Sequence, residues 1–150
     1  MRVVIQRVTD AQVLVNDTIK GQINTGILLL LGFEEADDLN DIKWMASKIV
    51  NLRIFDDEKG VMNLSVNDIG GGILVVSQFT LHALTKKGNR PSYIKAAPPA
   101  QARSLYNTFV EHLENLTEHK VETGDFGAMM AVKLTNSGPV TILIDTKNKA

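Results

Sequence analysis

Apolar positions along the chain follow two periods. Arg2 to Val8 and Ala11 to Asn16 are short, β-branched stretches, and Gly26 to Phe33 is apolar throughout, the pattern of a strand covered on both faces. The period then changes. Leu39, Ile42, Met45 or Ala46, Ile49 and Leu52 recur at three-and-four spacing, which predicts a helix with one apolar stripe, capped by Asp37. Arg53 to Asp57 and Met62 to Val66 flank a turn at Glu58-Lys59-Gly60 and read as a β pair. The run Gly70-Gly71-Gly72 reads as a hairpin turn, and Ile73 to Phe79 as a strong strand after it.

The stretch from His82 to Pro99 carries Gly88, Pro91 and Pro98-Pro99, so it is a long loop, and long loops in compact domains are often functional. Pro98 or Pro99 suits the first turn of a second helix, whose Leu105, Phe109, Leu113 and Leu116 form one stripe. Strands return at His119 to Glu122, Met129 to Thr135 and Val140 to Thr146. The expectation is a mixed α/β fold: a rolled, mostly antiparallel, barrel-like sheet with two main helices packed outside. Regular βαβ alternation is absent, which argues against a doubly wound dinucleotide-binding sheet. Without repeats or linker-like stretches, all 150 residues read as one domain.

Composition narrows the chemistry. With no cysteine, thiol nucleophiles, disulfides and thiolate zinc sites are excluded. The longest apolar run, Ile27 to Leu31 with Gly32 and Phe33, is far short of a membrane span, and the N-terminal residues lack a signal-peptide pattern, so a cytoplasmic protein is expected. The net charge of −1 disfavours a long duplex as partner, but the charge is unevenly placed. From Ile69 to Val110 there is no acidic residue, while Lys86, Lys87, Arg90, Lys95 and Arg103 contribute +5; the remainder carries −6. A locally basic face suits a partner with a few phosphates, such as an RNA end, although buried strands beside a solvated lysine loop produce the same asymmetry.

His82, His112 and His119 are not at ligand spacing and read as solvated surface histidines; no metal or other cofactor is expected. Hydroxyl candidates remain, best placed at Ser77 and Thr80, where a strand opens into the long loop. Alternation puts Gln78 and Thr80 on one face, presenting an amide and a hydroxyl to one ligand, with Ser77 and Phe79 on the other. A triad fails for want of a carboxylate in that stretch; ordinary capping hydroxyls are the plain alternative. Arg7 shares parity with Val3 and Ile5, and a guanidinium on an apolar face needs carbonyls or a phosphate unless it snorkels at the strand end. Asn136-Ser137-Gly138-Pro139 reads as a turn, and a trans bond is the default for its X-Pro peptide.

Seven segments in order resemble one family. They are Arg2-Val3-Val4-Ile5-Gln6-Arg7-Val8, Asn51-Leu52-Arg53-Ile54-Phe55, Ser77-Gln78-Phe79-Thr80-Leu81, Lys87-Gly88-Asn89-Arg90-Pro91-Ser92, Ala96-Ala97-Pro98-Pro99, Glu122-Thr123-Gly124 with Phe126-Gly127, and Asn136-Ser137-Gly138-Pro139-Val140-Thr141. The ordered set, spanning about residues 1 to 146, resembles D-aminoacyl-tRNA deacylase. The resemblance implies a homodimer of barrel-like subunits, with the active site at or near their interface, that hydrolyses the ester between a D-amino acid and the 3′-terminal adenosine of tRNA. It makes Ser77, Gln78, Phe79 and Thr80 pocket residues, with Gln78, Phe79 and Thr80 as the catalytic segment. Phe126, Met129 and Met130 become pocket-wall positions. Gly138-Pro139 becomes a cis element that enters the partner's pocket, with Asn136 beside it and Arg7 holding it. Lys86, Lys87 and Arg90 become the candidate tRNA contacts, with no DNA or membrane partner.

Two rigid carbonyls beside the substrate's α-carbon would accept from its amino group while excluding an L side chain, so many D-amino acids and glycine are expected substrates. Either Thr80 is a nucleophile, or the protein positions ester and water while the adenosine 2′-hydroxyl assists; the absence of a base, acid or metal favours the second. Two positions depart from the family pattern. An aromatic residue is common where His82 stands, so His82 is given no catalytic part. Aspartate is common where Ser137 stands, and the Ser137 hydroxyl is expected to bond the same turn. Competing readings are a nucleic-acid-binding module without turnover, a general esterase and a purely structural oligomer.

Overall fold

The computed structural model describes residues 1–150. Eight strands and two α-helices follow in the order β1 (Arg2–Val15), β2 (Thr18–Ile23), β3 (Gly26–Gly32), α1 (Leu39–Asn51), β4 (Phe55–Asp56), β5 (Met62–Leu64), β6 (Gly72–Ser77), α2 (Pro99–Leu116), β7 (Val121–Thr123) and β8 (Ala131–Asp145), with a 3-10 helix at Phe79–His82 between β6 and α2. The main sheet runs β2-β1-β3-β6-β7, with β8 beside β1; β3, β6 and β7 are mutually parallel and the remaining pairs antiparallel. Its two ends come together: a Cβ on Gly21 of β2 would lie 2.4 Å from the Thr123 carbonyl of β7, so only glycine permits this near closure into a barrel.

β1 organises this sheet because it has partners on both edges over most of its length. β8 runs along one edge, while the other is shared by β3, opposite Arg2 to Val8, and β2, opposite Ala11 to Val15. What reads in the sequence as two strands, Arg2 to Val8 and Ala11 to Asn16, is therefore one bent strand. Alternation sorts the side chains into two apolar clusters. Val3, Ile5, Leu29, Ile73 and Val75 meet Ile42, Met45, Ile49, Phe109 and Leu113 of the helices, while Val8, Val13, Leu28, Leu74 and Val76 fill the opposite side of the sheet.

Several expectations need correction. β2 is absent from the predicted elements because Thr18, Lys20 and Gln22 interrupt its apolar pattern. The two strands expected at Met129 to Thr135 and Val140 to Thr146 are one, β8, which begins at Ala131, ends at Asp145 and carries a bulge between the two parts. The triple glycine is no hairpin turn, because the chain leaves it as β6 parallel to β3. Asp38, not Asp37, caps α1, accepting from the Asn40 and Asp41 amides; Asp37 is buried against the Met1 ammonium and the Glu34 amide. His82 is also buried, leaving only His119 well exposed. No helix is long and apolar enough to cross a membrane.

The N- and C-terminal segments are tied beneath α1. Lys147 Nζ donates to Asp41 Oδ2 at 2.8 Å, and Thr146 Oγ1 accepts from the Met1 ammonium. Burial pushes the Asp41 carboxyl up, but the Lys147 bond, the Asp38 amide and the Thr146 side chain outweigh it and hold its pKa down at about 2. A depressed carboxylate pKa stabilises the fold above the unfolded value, near 4, and that contribution is lost as pH falls through the folded value. Lys147→Ala should therefore lower stability by about 1 kcal/mol near neutral pH, with the difference closing between about pH 4 and 2 in a denaturant series.

Candidate functional site

Where β3 and β6 end, the sheet opens into a groove of about 450 Å³. Its walls are Leu31–Phe33, Ser77–Phe79, Tyr93, the Ala96–Pro99 turn, Ala102 and Phe126-Gly127. None of these residues carries a carboxylate, imidazole, amine or guanidinium, and the chain has no cluster of His, Asp or Glu able to hold a metal. The groove is therefore shaped and polarised by backbone, amide and hydroxyl groups.

The floor is a change of secondary structure. β6 stops at Ser77; the Gln78 amide makes one more bond, 2.7 Å to the Leu31 carbonyl, and Phe79 then starts the 3-10 turn. Strand alternation fails at this point, yet the expected pairing of Gln78 with Thr80 is reached by another route: Gln78 Nε2 donates to Thr80 Oγ1 at 2.5 Å. Thr80 is not itself one of the residues lining the groove; its hydroxyl keeps its own proton to donate. At the turn's start the Phe79 and Thr80 amides have no acceptor within it, as at any helix N-terminus. Phe79 is 57% exposed and meets Tyr93 edge-on, with centroids 5.1 Å apart, forming an aromatic rim.

Phe126 closes the opposite side. Its ring lies 5.5 Å from Tyr106 and 4.8 Å from the Arg103 guanidinium, which also donates to the Phe126 carbonyl. Tyr106 is fixed in turn by donating to the Val75 carbonyl of β6 at 2.8 Å, and burial pushes its phenol above the ordinary value. Sequence reading missed Tyr93 and Tyr106, and counted Arg103 only as one cation of the basic face. An aromatic inside the acid-free loop was the available signal for Tyr93; Tyr106 sits unremarkably on a helix.

Arg7, Asn136, Gly138 and Pro139 converge elsewhere, on the β1–β8 ribbon. Pairing passes from Gln6↔Thr141 to Val8↔Asn136, two steps along β1 against five along β8, so Ser137–Val140 bulges out. Asn136 closes the bulge: Oδ1 accepts from the Val140 amide at 2.8 Å, and Nδ2 donates to the Val140 carbonyl and Thr141 Oγ1. Arg7, opposite the gap and largely buried, donates from Nε to the Ser137 carbonyl at 2.9 Å and from NH1 to the Ile54 carbonyl at 2.7 Å, with Asp56 at 3.5 Å. These carbonyls are the partners its parity demands. The Gly138-Pro139 bond is cis, as the resemblance implies and against the trans default of an X-Pro peptide. Gly138 has φ +131, and a Cβ there would meet Arg7 NH2 at 2.9 Å. Ser137 contributes its carbonyl to this network; its hydroxyl makes none of the bonds expected of it, because Asn136 already supplies the side-chain clamp.

The bulge does not line the groove. Met129 is 90% exposed, and Met130 packs on the inner cluster. Lys86, Lys87 and Arg90 lie exposed in the loop after the 3-10 turn. His82, behind that turn, has a buried Nε2 without a partner.

A family model described as D-Tyr-tRNA(Tyr) deacylase matches residues 4–145. A protein of Flavobacterium psychrophilum named D-aminoacyl-tRNA deacylase is 60% identical over 149 residues, covering 99% of both chains. One of the same name from Akkermansia muciniphila is 52% identical at the same coverage. Among solved structures, one named c-Myc DNA Unwinding Element Binding Protein superposes with TM-score 0.93 at 42% identity, covering 97% of this chain and 99% of that one. Another, described as a probable eukaryotic D-amino acid tRNA deacylase, shares the fold with TM-score 0.80 at 17% identity, covering 95% and 97%. A match over nearly the whole chain, with the groove and bulge built from the segments that carried the resemblance, places the chain in the D-Tyr-tRNA(Tyr) deacylase family.

Proposed function

We propose that the protein hydrolyses the ester joining a D-amino acid, or achiral glycine, to the 3′-terminal adenosine of tRNA, as chiral proofreading in the cytoplasm. In this reading it is a homodimer, and the Ser137–Val140 bulge of one protomer enters the groove of its partner. The observation that carries the reading is the Ser77–Phe79 segment on the floor of a groove whose walls hold no acid or base, with the Gln78 side chain tied to the Thr80 hydroxyl next to it. Such a site accelerates reaction through position and dipoles, which suits an aminoacyl ester, an activated acyl group whose neighbouring 2′-hydroxyl assists.

Each part has a role. The Phe79 and Thr80 amides receive the oxyanion as water attacks the carbonyl. Gln78 and Thr80 orient the ester, and the Phe79–Tyr93 rim stacks the terminal adenine. Carbonyls of the bulge accept from the substrate's α-ammonium and occupy the space an L side chain needs. The dimer is supported by β8 itself: its outer edge is unpaired along 15 residues, and Leu143 is 64% exposed on it, a liability that a second copy relieves. A second reading, nucleic-acid binding without turnover, is favoured by the exposed Lys86, Lys87 and Arg90 and by the DNA-binding name of the 42%-identical structure.

Purified protein incubated with D-tyrosyl-tRNA and L-tyrosyl-tRNA should release D-tyrosine rapidly and leave the L ester intact. Equal loss of both would mean an unselective esterase, and salt-dependent binding with no loss would favour the second reading. Thr80→Ala should keep kcat within about tenfold of wild type, since a hydroxyl that only orients contributes about one neutral hydrogen bond. A fall of several orders of magnitude, with an acyl-enzyme trapped in the wild type, would make Thr80 the nucleophile. Arg7→Ala leaves the Ser137 and Ile54 carbonyls without their donor; stereoselectivity should collapse, with Tm falling by only a few degrees. Arg7→Lys, which cannot reach both carbonyls as a fork, should restore little of the selectivity.

A further inference from the structure

Outside the groove and the basic loop, one surface combines cationic, aromatic and amide groups without a counter-charge. α1 presents Lys43, Trp44, Lys48 and Asn51 along its exposed face, and Arg53 follows its C-terminus. The C-terminal Lys149 reaches across to place its ammonium 4.3 Å from the Trp44 ring centroid, with Lys48 at 5.6 Å. The eight residues lining this open concavity include no acid. Lys43, Lys48 and Lys149 are in no ion pair, and neither Lys43 nor Lys48 has an acidic residue three or four positions away on the helix; Arg53 is the one cation of the face with an acid near it, Asp68. In a chain of net charge −1, three cations without an acidic partner on one face, beside Arg53, mark a site for a polyanion.

The position of the face narrows the partner. Ala96 of the groove wall bridges to Glu34, and Gln101 Nε2 donates to the Glu35 carbonyl at 2.9 Å, so the segment leading into α1 starts at the groove's rim. α1 runs away from that rim, and Lys43 to Arg53 extends about 15 Å along it, matching about four phosphates of one nucleic-acid strand. We infer that the exposed face of α1 is a second RNA contact, which docks the sugar–phosphate backbone of the tRNA body while the terminal nucleotide occupies the groove. This rests on the deacylase reading for the identity of the RNA, but not for the existence of the contact.

The test uses the full-length triple variant Lys43→Gln, Lys48→Gln, Lys149→Gln, with Lys86→Gln, Lys87→Gln as comparison. Binding of uncharged tRNA is titrated across a salt series, and deacylation is followed on D-tyrosyl-tRNA and on a D-tyrosylated 3′-terminal trinucleotide. The expected result is an affinity about tenfold weaker at low salt and a log K against log salt slope flatter by about two to three, as each lost phosphate contact removes about 0.9. KM for D-tyrosyl-tRNA should rise about tenfold, with kcat and the trinucleotide KM unchanged. An unchanged slope and KM would overturn the assignment, as would a slope that flattens only in the Lys86, Lys87 variant. Duplex DNA competing as well as tRNA would overturn the choice of RNA. A wild type that leaves D-tyrosyl-tRNA intact, with a triple variant that still loses tRNA affinity, would sink the deacylase reading and uphold this one.

Discussion

Two antiparallel strands that must pair along their whole length cannot do so when one has surplus residues, and that mismatch shapes the β1–β8 ribbon. β8 carries three residues more than β1 between the Gln6–Thr141 and Val8–Asn136 pairs, and they must leave the ladder. A loop of unpaired polar groups in a sheet is ordinarily mobile. Here the Asn136 amide bridges its base and the Arg7 guanidinium reaches in from the opposite strand. Arg7 also holds the Ile54 carbonyl just before β4, so one side chain couples the bulge to the short β4–β5 hairpin. The result is a rigid projection from an otherwise regular ribbon, on a strand whose other edge is open.

The groove depends on a comparable interruption. β6 is held parallel to β3 as far as Ser77, and one further bond, from the Gln78 amide to Leu31, fixes where it stops. Immediately afterwards the backbone turns, which brings Gln78 and Thr80 together and leaves two amides at the beginning of a 3-10 turn. Both features are made of backbone supported by side chains from the rigid sheet, so little reorganisation is needed when charge develops on a substrate.

How much was legible in the sequence follows from this division. Periodicity located α1, α2, β3 and β6, because long stretches facing one core carry a regular apolar signal. It missed β2, whose outward residues are polar, and split β1 and β8 where they bend or bulge, since a bulge breaks alternation without ending the strand. Asp37 and Asp38 are indistinguishable as caps until one is seen buried against the Met1 ammonium. The misreading of His82 has the same origin: a lone imidazole in a loop-like segment carries no burial signal, and only the packing of the turn against β3 puts it inside. The candidate site residues came from ordered motifs rather than chemistry, because a groove without ionisable groups leaves no catalytic signature in composition. Arg7 is the exception. Its parity with Val3 and Ile5 required partners, and the Ser137 and Ile54 carbonyls are such partners.

The neutral groove also explains where the charges lie. In the proposed reading, an α-ammonium entering a site without carboxylates has only carbonyl oxygens to accept from it, and carbonyls fixed in a backbone bulge would discriminate by direction more than by strength. The same reading leaves charge complementarity to a phosphate backbone to groups at a distance, in the acid-free loop and on the outer face of α1. Separating the two functions would have a physical advantage: long-range attraction would gather the polyanion without placing strong fields beside the ester, and selection at the α-carbon would be left to shape.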